Sequence, residues 1–505
     1  MKIKILALLF LICMLIPSIV ACKKNGAADG EATGDVNDSV SESGEDTKNK
    51  YDVQDNLGDV DLGGKEVTIA TTADSWFKGE LTVEKFNGEI VNDAVYKRNM
   101  FVENRLNMKI KNEEVKGDVY QPANNVLKHL QAGQHAYDLV LAPVYSTIIN
   151  TTKGCWRDLS KYDNIDLSQP YWSQLFNEQL SVGNGSQFMA TGAISLSYYR
   201  LTYVTLVNDV LLDTRTDAPN LVEVVNNKDW TIEYQTQLTS KYLVDDGDGI
   251  KEKDDTYGFI AASYNGTNPY WSSCQLTMLD KTDDGFYTYA MNKARVSTVT
   301  DQLITLFNAN STWTSDIRGN NDELHEKFAN GTALMATVML QAVESAAVQN
   351  MKHEYSILPI PKLDKDQDTY YSFVHDRFTA IAIPTTAPEW ECDNFAAVME
   401  AMASESYRTV TQAYYEKALK ARYANNPESV KMLDMITQNV YVDAGEIYVK
   451  VVNDICQHVR NIVDSAVKNG TGNTVSSTYN DEWEAQCRKS VAELNKGLKQ
   501  VIEKY

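Results

Sequence analysis

Aromatic side chains set beside carboxylates, amides and arginines are the residues of this chain best fitted for chemistry. The chemistry they fit is recognition of a polar ring. The sequence contains 28 Tyr and 8 Trp. Several stand just beyond segments patterned as strands: Trp76 and Phe77, Tyr145, Tyr171 and Trp172, Tyr198 and Tyr199, Tyr270 and Trp271, Tyr370 and Tyr371. A sugar ring shows an apolar C–H face and a rim of hydroxyls; aromatic faces answer the first and polar groups the second. Asp74, Arg200, Asn268, His375, Asp376 and Arg377 are the candidate polar partners. Packing in a core is the ordinary alternative for any one aromatic. Trp230, Trp390 and Trp483 fall within helical patterns and are expected in the core.

One acidic segment has the spacing of a calcium loop. With Gly249 as its sixth residue, Asp246 is the third, Asp248 the fifth, Ile250 the seventh (through its carbonyl) and Asp255 the twelfth. Val244 stands where the first carboxylate belongs, so the alternative is a tight acidic turn using Gly247 and Gly249. A structural calcium is the one cofactor this pattern suggests. Dinucleotide, phosphate-loop, zinc-protease and serine-nucleophile motifs are all missing. The six His include no pair at i+3 or i+4, so nothing local supports a histidine metal site. A catalytic carboxylate pair would have to assemble in space, without any local signal. The seven Cys (13, 22, 155, 274, 392, 456 and 487) lack a C-x-x-C. Buried thiols are expected, with Cys456–Cys487 the pairing left open.

The scaffold that must position these residues reads as α/β. At 505 residues the chain exceeds one core, so at least two domains are expected. Strand patterns at 66–70, 108–112 and 137–143 alternate with helical patterns at 92–106 and 122–132, the second opened by Pro122 and stopped by Gly133. The run YDLVLAP is continuously apolar, as in a sheet buried on both faces. In such sheets ligands sit beyond the carboxyl ends of strands, which points to the residues after Ala70 and Ala142. Further strands are expected around 204–207, 333–339, 355–361 and 379–383. From Glu389 to Tyr505 the period is helical throughout, with one helix over 444–467 and an amphipathic one over 478–504.

The amino terminus and the charge set the compartment and exclude partners. Lys2 and Lys4 precede an apolar run from Ile5 to Ile16, the pattern of a secretory signal. Ala21-Cys22 looks like a bacterial lipobox, which implies cleavage before Cys22 and lipidation of its sulfur. The stretch that follows, to about residue 63, is acidic and poor in aromatics, as a flexible tether would be. The net charge is −22, with no basic stripe, which argues against nucleic acid.

Taken in order, these segments resemble the lipid-anchored extracellular solute-binding proteins of ABC importers, the large sugar-binding type (family 1) of Gram-positive bacteria. The parallels are the lipobox and tether, GKEVTIA (64–70), YDLVLAP (137–143), LVNDVLL (206–212), DGDGIKEKDDTYG (246–258), the run 331–336 and LPIPK (358–362). The resemblance implies a two-lobed periplasmic-binding-protein-like fold of type II with a helical C-terminal region. Residues 1–21 would be the signal and 22–63 the tether. Lobe one would hold 64–194 and 376–425, lobe two 195–375 and 426–505. It implies a monomer on the outer membrane face that captures a carbohydrate, expected to be an oligosaccharide, between its lobes and passes it to permease subunits without catalysis. The implied ligand contacts are Asp74, Trp76, Tyr145, Trp172, Tyr198, Tyr199, Arg200, Trp271, Tyr371, His375 and Asp376. A peptide or polyamine ligand, an exported glycoside-active enzyme and an adhesion protein are the alternatives.

Overall fold

The computed structural model describes residues 50–263, 265–315, 321–420, 427–452, 455–469 and 474–504. The signal at 1–21, Cys22 and the tether through residue 49 lie outside the described residues. Among those described, no helix is long and apolar enough to cross a membrane.

The described residues form eleven strands: β1 (Lys65–Thr72), β2 (Met108–Val115), β3 (Leu139–Pro143), β4 (Tyr203–Asn208), β5 (Tyr257–Ala262), β6 (Leu279–Lys281), β7 (Tyr287–Tyr289), β8 (Thr312–Ser315), β9 (Ala333–Met339), β10 (Tyr355–Leu358) and β11 (Thr379–Ala382). They make a four-stranded sheet in the order β11-β3-β1-β2, a five-stranded sheet in the order β10-β4-β9-β5-β8, and the ribbon β6-β7. β1 runs parallel to β2 and β3, while β11 joins antiparallel. The runs LVLAP, YVTLVN and ALMATVM are buried at every position because both sheet faces are covered. The edge strand β2 alternates instead. Side-chain alternation divides the first sheet. Val67, Ile69, Leu139 and Leu141 pack with Phe395 and Met399 of the helix Cys392–Glu405. Ala70, Val140 and Ala142 face a second cluster that continues through Tyr198, Leu201 and Phe378 into the other sheet. The result is an open α/β architecture of two lobes with a helical C-terminal region.

The chain crosses between the sheets at about 195–202 and returns at about 373–378, where Thr202 and Val374 pair as an antiparallel bridge. Glu80, in the loop after β1, binds both crossings through one buried carboxylate oxygen. Its Oε1 accepts from Ser195 Oγ (3.1 Å), Ser197 N (2.9 Å), Ser197 Oγ (2.8 Å) and Thr379 Oγ1 (2.8 Å). The C-terminal helix Asp481–Lys504 packs on Ile148–Lys153 and on β7. The ribbon reaches back toward residues 179–183, with Tyr287 OH donating to the Gln179 carbonyl at 2.9 Å. Gly285 permits the approach: a Cβ there would lie 2.2 Å from the Gly183 carbonyl oxygen.

Several expectations need correction. Trp390 is 78% exposed and forms no part of the core, because it sits in a one-turn helix, Glu389–Glu391, ahead of the buried helix. The single helix expected over 444–467 is broken into Ala444–Ile447 and Ile455–Asn469. The ribbon and the strands β5 and β8 were not anticipated: the ribbon strands and β8 have only three or four residues and carry almost no periodicity, and the six-residue β5 is buried along nearly its whole length and so does not alternate. Cys155, Cys274 and Cys392 are buried thiols. The Cys456 side chain lies outside the described residues.

Removing the Glu80 acceptor strands several buried donors. Glu80→Ala is expected to lower unfolding stability by about 3 kcal/mol, and Glu80→Gln, which keeps an acceptor oxygen, by less. Urea denaturation of both variants checks this; equal stability of Glu80→Ala and the parent would contradict it.

Candidate functional site

A cleft of about 290 Å³ lies where the carboxyl ends of strands from both sheets meet the return crossing. Tyr145 follows β3 directly, and Trp271 lies in the short helix Pro269–Ser273 beyond β5. Tyr120 precedes the helix Gln121–Ala132, and its ring meets Tyr145 edge to face at 5.3 Å. The crossing contributes Phe373, His375, Asp376 and Arg377, and the C-terminal region Glu446, Val449, Lys450 and Arg460. Trp76 flanks the cleft: its ring lies 5.8 Å from His375, and the Arg377 guanidinium covers its face at 4.8 Å. Asp74 stands 3.9 Å from Arg377 and caps the turn that holds Trp76.

The polar groups have distinct charge states. Burial opposes charge on Asp376, but His375 at 2.8 Å, together with Arg377 and Arg460, overrides it and holds the carboxyl below its ordinary range. Glu446 is driven well above the carboxylate range, first by burial and then by Asp376 and Asp443. The cleft lining therefore holds one carboxyl shifted toward its charged form and one shifted toward its neutral form. Behind it, Asp443 fixes Trp271. Its Oδ2 accepts from the indole N–H (3.3 Å) and Met278 N (2.8 Å), and its Oδ1 from Gly445 N (2.9 Å). Burial pushes Asp443 up to about 6.

Of the residues singled out in the sequence, Tyr145, Trp271, His375 and Asp376 line this cleft, with Asn268 and Arg377, and Trp76 and Asp74 border it. Tyr371 lies against Tyr441, 5.5 Å between centroids, outside the lining. Arg200 makes a two-pronged ion pair with Glu344, both contacts 2.9 Å. Trp172, Tyr198 and Tyr199 line a different cavity, and the Trp172 N–H donates to Glu400. Tyr120, Glu446, Lys450 and Arg460 were missed. The last three lie in the segment read as one helix over 444–467.

In the acidic loop, Asp245, Asp246 and Asp248 bring their carboxylates together on the surface. Asp255 is not in this group. It is buried, and its oxygens accept from Asp246 N (3.0 Å) and Glu252 N (3.1 Å). Asp245, adjacent to Val244, was absent from the expected ligand set of Asp246, Asp248, Ile250 and Asp255.

No protein-family model matches the chain, and no curated protein matches its sequence. Solved structures do. A cyclo/maltodextrin-binding protein complexed with maltotetraose aligns with a TM-score of 0.52 at 13% identity, over 87% of this chain and 98% of the other. A family 1 extracellular solute-binding protein from Bifidobacterium longum subsp. infantis aligns at 0.51 and 12% identity, over 85% and 100%. An ABC transporter solute-binding protein from Agrobacterium radiobacter in complex with ribitol aligns at 0.50 and 14% identity, over 86% and 99%. The chain thus has the two-lobed fold of these proteins.

Because the folded state keeps a proton on Asp443 that the unfolded chain has released, this group's stabilisation is full below about pH 4 and is lost as pH rises through about 6. Asp443→Asn is expected to flatten the stability–pH curve across that window. The Trp271 indole proton resonance should titrate with a midpoint near 6; a resonance unchanged from pH 4 to 8 would contradict the assignment.

Proposed function

We propose that the protein is an extracellular, lipid-anchored solute-binding protein that captures a carbohydrate and delivers it to an ABC permease, acting as a monomer and without chemistry of its own. The observation that carries this reading is the cleft itself: Tyr145, Tyr120 and Trp271 present rings from both lobes around Asn268, Asp376, Arg377 and Glu446. Ring faces suit C–H surfaces, and the mixed donors and acceptors suit hydroxyls. Similar folds were solved with maltotetraose and with ribitol bound, which supports a polyhydroxylated ligand. A cleft of about 290 Å³ is at the small end of ligand sites and favours one or two rings over a long oligosaccharide. In this reading lobe one comprises 64–194 and 376–425, and lobe two 195–375 and 426–505. The lobes close on the ligand, and Cys22 holds the body at the outer membrane face.

One observation favours a second reading. Asp376, held ionised, and Glu446, held neutral, share the cleft, the division of charge that glycoside cleavage uses. Capture accounts better for the site, since Asp376 is already engaged by His375 at 2.8 Å. Oligosaccharides incubated with the protein are expected to remain intact. For the acidic loop, the reading is a structural calcium on Asp246 and Asp248 with Asp245 beside them; millimolar calcium should raise the melting temperature, and Asp248→Asn should abolish the rise.

A thermal-shift and calorimetric screen of mono- and oligosaccharides is expected to give at least one ligand. Trp76→Ala and Trp271→Ala should each weaken it about tenfold, a loss of about 1.4 kcal/mol. Unchanged affinity in both variants would remove the aromatic assignment, and a response to peptides alone would overturn the ligand class.

A further inference from the structure

A second cavity, of about 250 Å³, lies apart from the cleft. Its walls come from the loop before the helix Gln174–Leu180, the crossing helix Leu196–Arg200, and the C-terminal helices Thr411–Lys420 and Pro427–Gln438. Trp172, Tyr198, Tyr199, Tyr407 and Tyr415 supply its rings. Tyr51 closes one side, 5.1 Å from Tyr407 and 6.0 Å from Tyr415 between centroids. Ser173, Gln174, Thr437 and Gln438 add hydroxyls and amides.

No lining residue of this cavity is a carboxylate, lysine, arginine or histidine. Burial pushes the phenols of Tyr198, Tyr199, Tyr407 and Tyr415 up, so they stay neutral at physiological pH. The main cleft, by contrast, holds His375, Asp376, Arg377, Glu446, Lys450 and Arg460. An ion entering the second cavity would lose hydration without a charged lining residue to pair with; the carboxylates in contact with the walls, Glu400 and Asp434, are already taken up by Tyr171, Trp172 and Tyr51. Ser173 Oγ bonds the Tyr198 hydroxyl (2.9 Å), Thr437 Oγ1 donates to the Leu433 carbonyl (2.8 Å) and Gln174 Nε2 to the Trp172 carbonyl (3.0 Å), so the exposed Gln438 amide is the rim group open to a ligand. A neutral ring with one apolar face and a hydroxyl edge satisfies both the aromatic walls and that amide.

We propose that this cavity is a second binding site, selective for an uncharged mono- or disaccharide, with Tyr407 as a stacking face and Gln438 as a polar contact. Tyr407 is half-buried and Gln438 exposed, so both are reachable from solvent. The proposal concerns a site separate from the cleft and does not depend on what the cleft binds.

Saturation-transfer NMR with glucose, maltose, xylose and cellobiose tests it, on the parent protein and on Trp271→Ala, which weakens the main cleft. At least one probe is expected to bind Trp271→Ala protein. Adding Tyr407→Ala or Gln438→Ala to that background should raise its Kd at least tenfold and about threefold respectively. Glucuronate, the charged counterpart of glucose, should give no signal there. Binding that survives both second-cavity variants, or the absence of any probe signal from folded Trp271→Ala protein, would overturn the proposal. Should Tyr407→Ala fail to fold, Gln438→Ala and the glucuronate comparison decide it.

Discussion

Both lobes are held in register by a buried carboxylate. Glu80 leaves the end of β1 and, through a single oxygen, gathers donors from the outgoing crossing at Ser195 and Ser197 and from the returning one at Thr379. A buried carboxylate is tolerated only when so many donors surround it. The loop it anchors also carries Asp74 and Trp76, and the return crossing carries His375, Asp376 and Arg377. The groups that border the cleft and the segments that join the lobes are therefore fixed by the same contact.

The cleft and the second cavity divide the tyrosines and tryptophans between two electrostatic settings. In the cleft, opposite charges adjoin. Asp376 is kept ionised by His375, Arg377 and Arg460, and Glu446 is kept neutral by burial and by its acidic neighbours. Such a site can orient a ligand by donors and acceptors of fixed character, and preformed geometry reduces the ordering cost of binding. In the second cavity no lining residue is a carboxylate, lysine, arginine or histidine, and the phenols of Tyr198 and Tyr415 bond the hydroxyls of Ser173 and Thr437. The same residue types thus support different selectivities, decided by what stands beside them.

Much of the fold was legible in the sequence because the central strands are continuous apolar runs. YDLVLAP and ALMATVM could only be buried on both faces, and both became interior strands. The helix from Gln121 to Ala132 was bracketed by Pro122 and by Gly133, which adopts a left-handed backbone. The site was only half legible. Tyr145 stands at the end of β3, where local pattern is informative, and Trp271 lies in the short helix Pro269–Ser273. Glu446 and Arg460 reach the cleft from more than 170 residues beyond Trp271, and no local spacing encodes that approach. Trp172 and Tyr198 were grouped with the cleft residues, but Tyr198 lies in the helix Leu196–Arg200, and the separation of both from the cleft depends on how the helices near the C terminus pack. The long helical period over 444–467 concealed a break after Ile447, and Val449 and Lys450, in the turn that follows, come to the cleft.

Closure of the lobes around a bound sugar is the central claim, and the distance between the lobes measures it. Spin labels at Lys128→Cys, on the exposed face of a first-lobe helix, and Lys241→Cys, on the surface of the second lobe, would report it by pulsed electron resonance. A saturating sugar from the screen is expected to shorten and narrow the distance distribution by several ångströms. A distribution identical with and without bound sugar would contradict the account.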